Sequence, residues 1–192
     1  MPEINRPVMD FLLARRSRPA KLLRPPVPER DEIMAVLTAA ARVPDHGKLE
    51  PWRFVVLERP ALVRLATAAR ARGAELALDP DQAAKGVAQF SDAHLIVAVI
   101  HSPKQSEKAP AIEQMLSTGA VCLSLLNAAL ASGWGACWLT GWVAHDPAFA
   151  REAYGLAPGE VVAGLIHIGT AASVPPERPR PDLAAITRWI GA

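Results

Sequence analysis

The sequence predicts an α+β fold: a small central mixed β-sheet flanked by helices, in a single domain spanning residues 1–192. Three observations predict it. Stretches with helical apolar spacing are interleaved with short runs that are apolar on both faces, without a regular βαβ rhythm. No repeat or linker separates two cores, and 192 residues suit one domain better than two. With 51% hydrophobic and 21% charged residues, the chain can fill one substantial core.

Val8, Phe11, Leu12 and Arg15 follow i, i+3, i+4, i+7 spacing, so the first helix has an apolar face that runs into an arginine. A second helix begins after Pro28, with Ile33, Val36, Leu37 and Ala40 on one face. It stops near Val43, because Pro44 disfavours helical geometry in the residue before it. Trp52 to Glu58 reads as a strand whose centre, Phe54-Val55-Val56-Leu57, is apolar on both faces. Pro60 to Arg72 reads as a helix, and Asp79-Pro80 supplies an N-cap and a first-turn proline for another that runs toward Phe90. His94 to His101 is a second buried strand. Pro110 opens a long helix to about Ser132 that is apolar nearly all round beyond Gly119, which calls for a partner subunit as cover. Trp134 to Thr140 is a third strand, Asp146-Pro147 starts a short helix, and Val161 to Thr170 is a fourth strand. The tail from Ser173 to Asp182 holds four prolines and is expected to run extended, wrapping a partner subunit.

Charge and targeting narrow the function. Lys plus Arg number 21 against 19 Asp plus Glu, a net charge of +2 too balanced for a disordered polyelectrolyte or a nucleic-acid clamp. Met1 to Asp10 carries Glu3, Arg6 and Asp10 with two prolines and no apolar run of the signal-peptide kind, so a cytoplasmic protein is expected. From Met115 to Ala144 there are thirty residues without a charge or a histidine. Gly133, Gly135 and Gly141 break that run, so it reads as a buried helix and a buried strand rather than a membrane span. Cys122 and Cys137 lie fifteen apart in apolar sequence and read as buried thiols, with neither disulfide nor metal spacing.

Arg15-Arg16-Ser17 closes the first helix, and two readings are open: guanidinium groups solvated at a helix end, or a donor fork aimed at an anion such as a phosphate. His46 lies in the loop Pro44-Asp45-His46-Gly47-Lys48-Leu49-Glu50-Pro51-Trp52. There Asp45 and Gly47 supply turn geometry, and the loop stands between rigid elements, where sites occur. The five histidines show no metal-ligand spacing, and no glycine-rich dinucleotide loop precedes a helix. Trp134, Trp138 and Trp142 recur every four residues and read as one face of a strand, for core packing or for a flat ligand.

Three of these segments, in this order and spacing, resemble the nitroreductase family: Arg15-Arg16-Ser17, the Pro-Asp-His loop ending in Pro51-Trp52, and Trp138-Leu139-Thr140-Gly141 after the long apolar helix. The likeness covers nearly the whole chain and is greatest to the compact YdjA-type branch. It implies a homodimeric FMN flavoprotein that uses NAD(P)H, with the flavin at the subunit interface. Arg15, Arg16 and Ser17 then meet the phosphate and ribityl chain, His46 and Glu50 line the flavin, and Trp138, Leu139 and Thr140 touch it. Ala128 to Gly133 matches a stretch linked with nicotinamide binding. The implied cycle is ping-pong, with hydride passing from NAD(P)H to flavin N5 and then to a nitroaromatic, quinone or similar acceptor. The cofactor carries the chemistry, so no acid-base side chain is required. A flavin store or sensor is the alternative. Two departures stand out: Glu50 replaces an amide, and Leu139-Thr140 replaces Arg-Ser, for which Arg178 or Arg180 of the tail is the candidate substitute. Acceptor choice is assigned to Ala71 to Ser91.

Overall fold

The computed structural model describes residues 2–191. In chain order the elements are α1 (Arg6–Ala14), β1 (Leu23–Arg24), α2 (Arg30–Ala40), β2 (Trp52–Glu58), α3 (Arg59–Glu75), α4 (Pro80–Ser91) and β3 (Leu95–His101). They continue with α5 (Ala111–Ala131), β4 (Gly135–Leu139), α6 (Trp142–His145), α7 (Pro147–Tyr154), β5 (Val161–Ala171) and α8 (Leu183–Ile186). The punctuation read from the sequence sets several of these boundaries. Asp79 accepts the backbone N–H groups of Asp81 and Gln82, and Asp146 accepts that of Phe149. Both stand just before a proline whose missing donor costs a helix start nothing.

β5 is the hub of the sheet. It pairs with β3, β4 and β1, and β2 completes the order on the far side of β3. Every described pairing is antiparallel, a correction to the mixed sheet expected from the sequence. The reason is topological. α5 carries the chain from β3 to β4 and leaves those two strands parallel, but β5 enters between them and runs against both.

β3 is buried along its whole length, and its alternation divides the core. Ile96, Ala98 and Ile100 pack with Leu62, Phe90 and Phe149 from α3, α4 and α7. Leu95, Val97 and Val99 pack with Val36, Val121 and Leu125 from α2 and α5. Helices therefore cover both faces, as the doubly apolar strands require. Arg53 of β2 closes one end of the sheet: it donates to both carboxylate oxygens of Glu160, at 2.8 and 2.6 Å, and to the Gly155 carbonyl.

Two further readings need correction. The three tryptophans share no face, because Gly141, at φ 109°, turns the chain out of β4 and places Trp142 on α6. Trp142 packs against Phe149, with ring centroids 5.5 Å apart, while Trp138 stays on β4. Cys137 is only partly buried, whereas Cys122 lies in the core and burial pushes its thiol up to about 12. The helix α5 is long and apolar enough to cross a membrane, yet its inner face is a principal wall of the core.

Candidate functional site

Arg15 stands at the C-terminal end of α1, where ψ switches to 138° and the chain becomes extended. The Arg18 N–H then donates to the Ala136 carbonyl at 2.8 Å, so residues 15–18 run beside the start of β4. This juxtaposition forms a cavity of about 550 Å³ whose walls include Phe11, Arg15, Arg16, Arg18, Leu130 and Trp134. The arginines differ in employment. Arg16 donates to the Pro176 carbonyl at 2.7 Å and lies 3.7 Å from the Glu177 carboxylate. Among the described residues the Arg15 guanidinium reaches only the Ser17 hydroxyl, at 3.3 Å, and its Nε is buried without a partner. Arg180 donates to the Leu13 carbonyl, which puts that tail guanidinium at the same helix end.

At the other end of β4, about 13 Å along the strand, Leu139 borders a recess of about 160 Å³. Lys21, Lys85, Gln89 and His167 share its wall. Gln89 of α4 donates through Nε2 to the Thr140 carbonyl at 2.6 Å, and its Oε1 is buried without a partner. His167 Nε2 is also buried and unpaired, and burial lowers the imidazole to about 4, so the ring is neutral at physiological pH. Trp138 lies over Gly164 on the opposite face of the sheet; a Cβ there would come within 2.3 Å of the indole nitrogen. None of Lys21, Lys85, Gln89 and His167 was marked by a motif. Only the capped start at Asp79 signalled the helix that carries two of them.

His46 and Glu50 belong to a different region. Asp45 Oδ2 accepts the Glu50 N–H at 2.8 Å, and Gly47 has φ 78°, so the turn geometry read from those residues is present. Lys48 and Glu50 also adopt positive φ, at 55° and 50°. His46 Nδ1 lies 2.7 Å from Glu113 Oε2, and the Ser117 hydroxyl donates to the Pro44 carbonyl at 2.8 Å. The loop is therefore fastened to the first turns of α5. Leu130, in the arginine-lined cavity, is at that helix's other end, seventeen residues and about 25 Å away. One chain thus brings Arg15, Arg16, Ser17, Trp138, Leu139 and Thr140 along β4, and holds His46 and Glu50 apart from them. Among the described residues no group of three or more His, Cys, Asp or Glu side chains is arranged for a metal ion.

Known proteins share this architecture. The structure of a nitroreductase-like family protein from Bacillus cereus superposes with a TM-score of 0.76 over 99% of this chain and 98% of its own, at 21% identity. A nitroreductase with bound FMN from Bacteroides fragilis superposes with a TM-score of 0.70 over 91% and 95%, also at 21% identity. In sequence, the chain is 32% identical over 164 residues to the "Putative NAD(P)H nitroreductase YdjA" of Escherichia coli K12, covering 84% of this chain and 87% of that one. The profile of the Nitroreductase family matches residues 12–170, from α1 through all but the last residue of β5, and on that match the chain belongs to the Nitroreductase family.

Proposed function

We propose that this chain is an FMN-dependent NAD(P)H oxidoreductase that works as a cytoplasmic homodimer. The observation that carries the reading is the buried, unpaired Nε of Arg15 in a cavity walled by three arginines. A buried guanidinium donor without an acceptor is costly, and a phosphate supplies acceptors in the geometry of its fork. The residues present therefore fit FMN. When bound, FMN supplies hydride transfer at N5, in a ping-pong cycle from NAD(P)H to a nitroaromatic, quinone or similar acceptor.

What the chain itself does is bind and orient. Arg15, Arg16 and Ser17 hold the anionic end, and Arg180, which donates to the Leu13 carbonyl, stands at the same helix end. Leu139 and Thr140 hold the flat end, since the two ends of β4 suit a molecule that is charged at one extremity and planar at the other. His46 and Glu50 come from the second subunit, because α5 separates them from Arg15 within one chain. Ala128 to Gly133 borders the arginine-lined cavity through Leu130 and Gly133, in keeping with a nicotinamide role. Residues 71–91 take in the end of α3 and all of α4, and so carry Lys85 and Gln89 to the recess, in keeping with a role in acceptor choice.

The test is the visible spectrum of the purified protein, followed by steady-state oxidation of NADH and NADPH with a quinone. A flavin spectrum with turnover is expected. A colourless protein that cannot be reconstituted with FMN overturns the reading, and bound FMN without turnover leaves a flavin store or sensor in its place.

A further inference from the structure

We propose, on the flavin reading just given, that Gln89 is a positioning residue for electron transfer. By holding the Thr140 carbonyl, it turns the Gly141 N–H outward as a donor to the bound flavin. Gln89 Nε2 lies 2.6 Å from the Thr140 oxygen. The orientation of the amide is fixed by chemistry, because the reverse would set two acceptors against each other. In a trans peptide the carbonyl and the following N–H point in opposite directions. Anchoring the Thr140 oxygen on the α4 side therefore directs the Gly141 N–H away from α4. Among the described residues nothing accepts that hydrogen.

The adjoining geometry is built around this contact. Gly141 has φ 109° and ψ −174°, a conformation open to glycine and strained for other residues. A Cβ there would come within 3.1 Å of Gln89 Nε2, so the glycine also permits the close approach of the amide. Gln89 meanwhile leaves its own Oε1 buried and unpaired, which a side chain kept for stability alone has no reason to do. Negative charge gathers on a flavin when it is reduced, and a preoriented backbone donor favours the charged state over the neutral one. Gln89 acts through the peptide and needs no contact with the ring.

The experiment measures the two-electron midpoint potential of bound FMN in the wild type, Gln89→Leu and Gln89→Met, together with the affinity for oxidised FMN and the melting temperature of each apoprotein. Neither replacement donates to the Thr140 carbonyl, and Met keeps nearly the length of Gln without adding charge. Both variants are expected to bind reduced FMN about tenfold more weakly relative to oxidised FMN, a fall of about 30 mV in midpoint. The shift is read against each variant's own affinity for oxidised FMN, and it persists in whichever variant retains the wild-type melting temperature. A wild type that takes up FMN, with both variants at its potential, overturns this inference alone. A wild type that takes up no FMN overturns the flavin reading, and this inference with it.

Discussion

Arg16 commits its guanidinium to the tail through Pro176 and Glu177, while its neighbour Arg15 keeps a buried nitrogen unpaired. That difference makes the pair separable. Arg15→Ala should weaken FMN binding about 30- to 1000-fold, the equivalent of about 2 to 4 kcal/mol for a charge-assisted fork to a phosphate. Arg16→Ala should weaken it less, because part of what Arg16 holds is the tail. Fluorescence titration of the apoproteins with FMN measures both, and equal affinities for wild type and Arg15→Ala would assign Arg15 to solvation of the helix end. The arginines were legible in the sequence, because two cations continuing an apolar helical face are a local pattern. Gln89 and His167 were not. Gln89 acquires its role from a backbone carbonyl fifty-one residues away, and His167 from being buried in the middle of a strand.

At the scale of elements, most helices and strands were readable because their ends carry their own signals: Asp79-Pro80, Pro110 and Asp146-Pro147 each open a helix where expected. β1 was not readable, since two residues cannot show a period and Leu23 pairs with Ala171, far along the chain. The antiparallel order was hidden for a similar reason, as only the placement of β5 between β3 and β4 decides it. One long-range contact between elements makes a pH prediction. Arg53 of β2 and the Ala157 N–H both bond to Glu160, and together they hold its carboxyl down to about 2 against a usual 4.5. The folded state therefore binds that proton less readily than the unfolded chain. The stabilisation is present in full above about pH 4.5 and is lost as pH falls from there toward 2. Glu160→Gln should lower the melting temperature at pH 7 and flatten its dependence on pH below 4.5. Thermal melts from pH 7 to pH 2.5 test this, and parallel curves for the two proteins would mean that the pair contributes nothing to acid stability.

For the whole molecule, the outer side of α5 is the informative surface. Ile112, Leu116 and Leu123 are exposed, and with Gly119 they form a stripe spaced four, three and four residues apart, the repeat of helices that pack lengthwise. Gly119 has nothing within 4 Å of where a Cβ would stand, although glycine inside a helix costs about 0.5–1 kcal/mol relative to alanine. Close approach by a second helix gives that glycine a purpose. Val8 and Leu12 on α1, and Trp189 and Ile190 in the tail, 90% and 86% exposed, add apolar surface that a lone chain leaves in water. In the proposed homodimer, a two-fold axis across α5 would set the beginning of one helix against the end of its copy, because an isologous interface pairs a patch with itself. That arrangement would bring His46 and Glu50, fastened at the start of one α5, toward the Arg15 end of the other. Dimerisation and flavin binding should then fail together. The double variant Leu116→Glu, Leu123→Glu places four carboxylates in the shared stripe and is expected to elute near the 20.5 kDa of one chain, in place of a dimer of about 41 kDa, and to lose FMN in the same step. Size-exclusion chromatography monitored by light scattering and flavin absorbance reads both at once. A folded monomer that keeps FMN at wild-type affinity would show that one chain completes the site, and His46 and Glu50 would then have no part in holding the flavin.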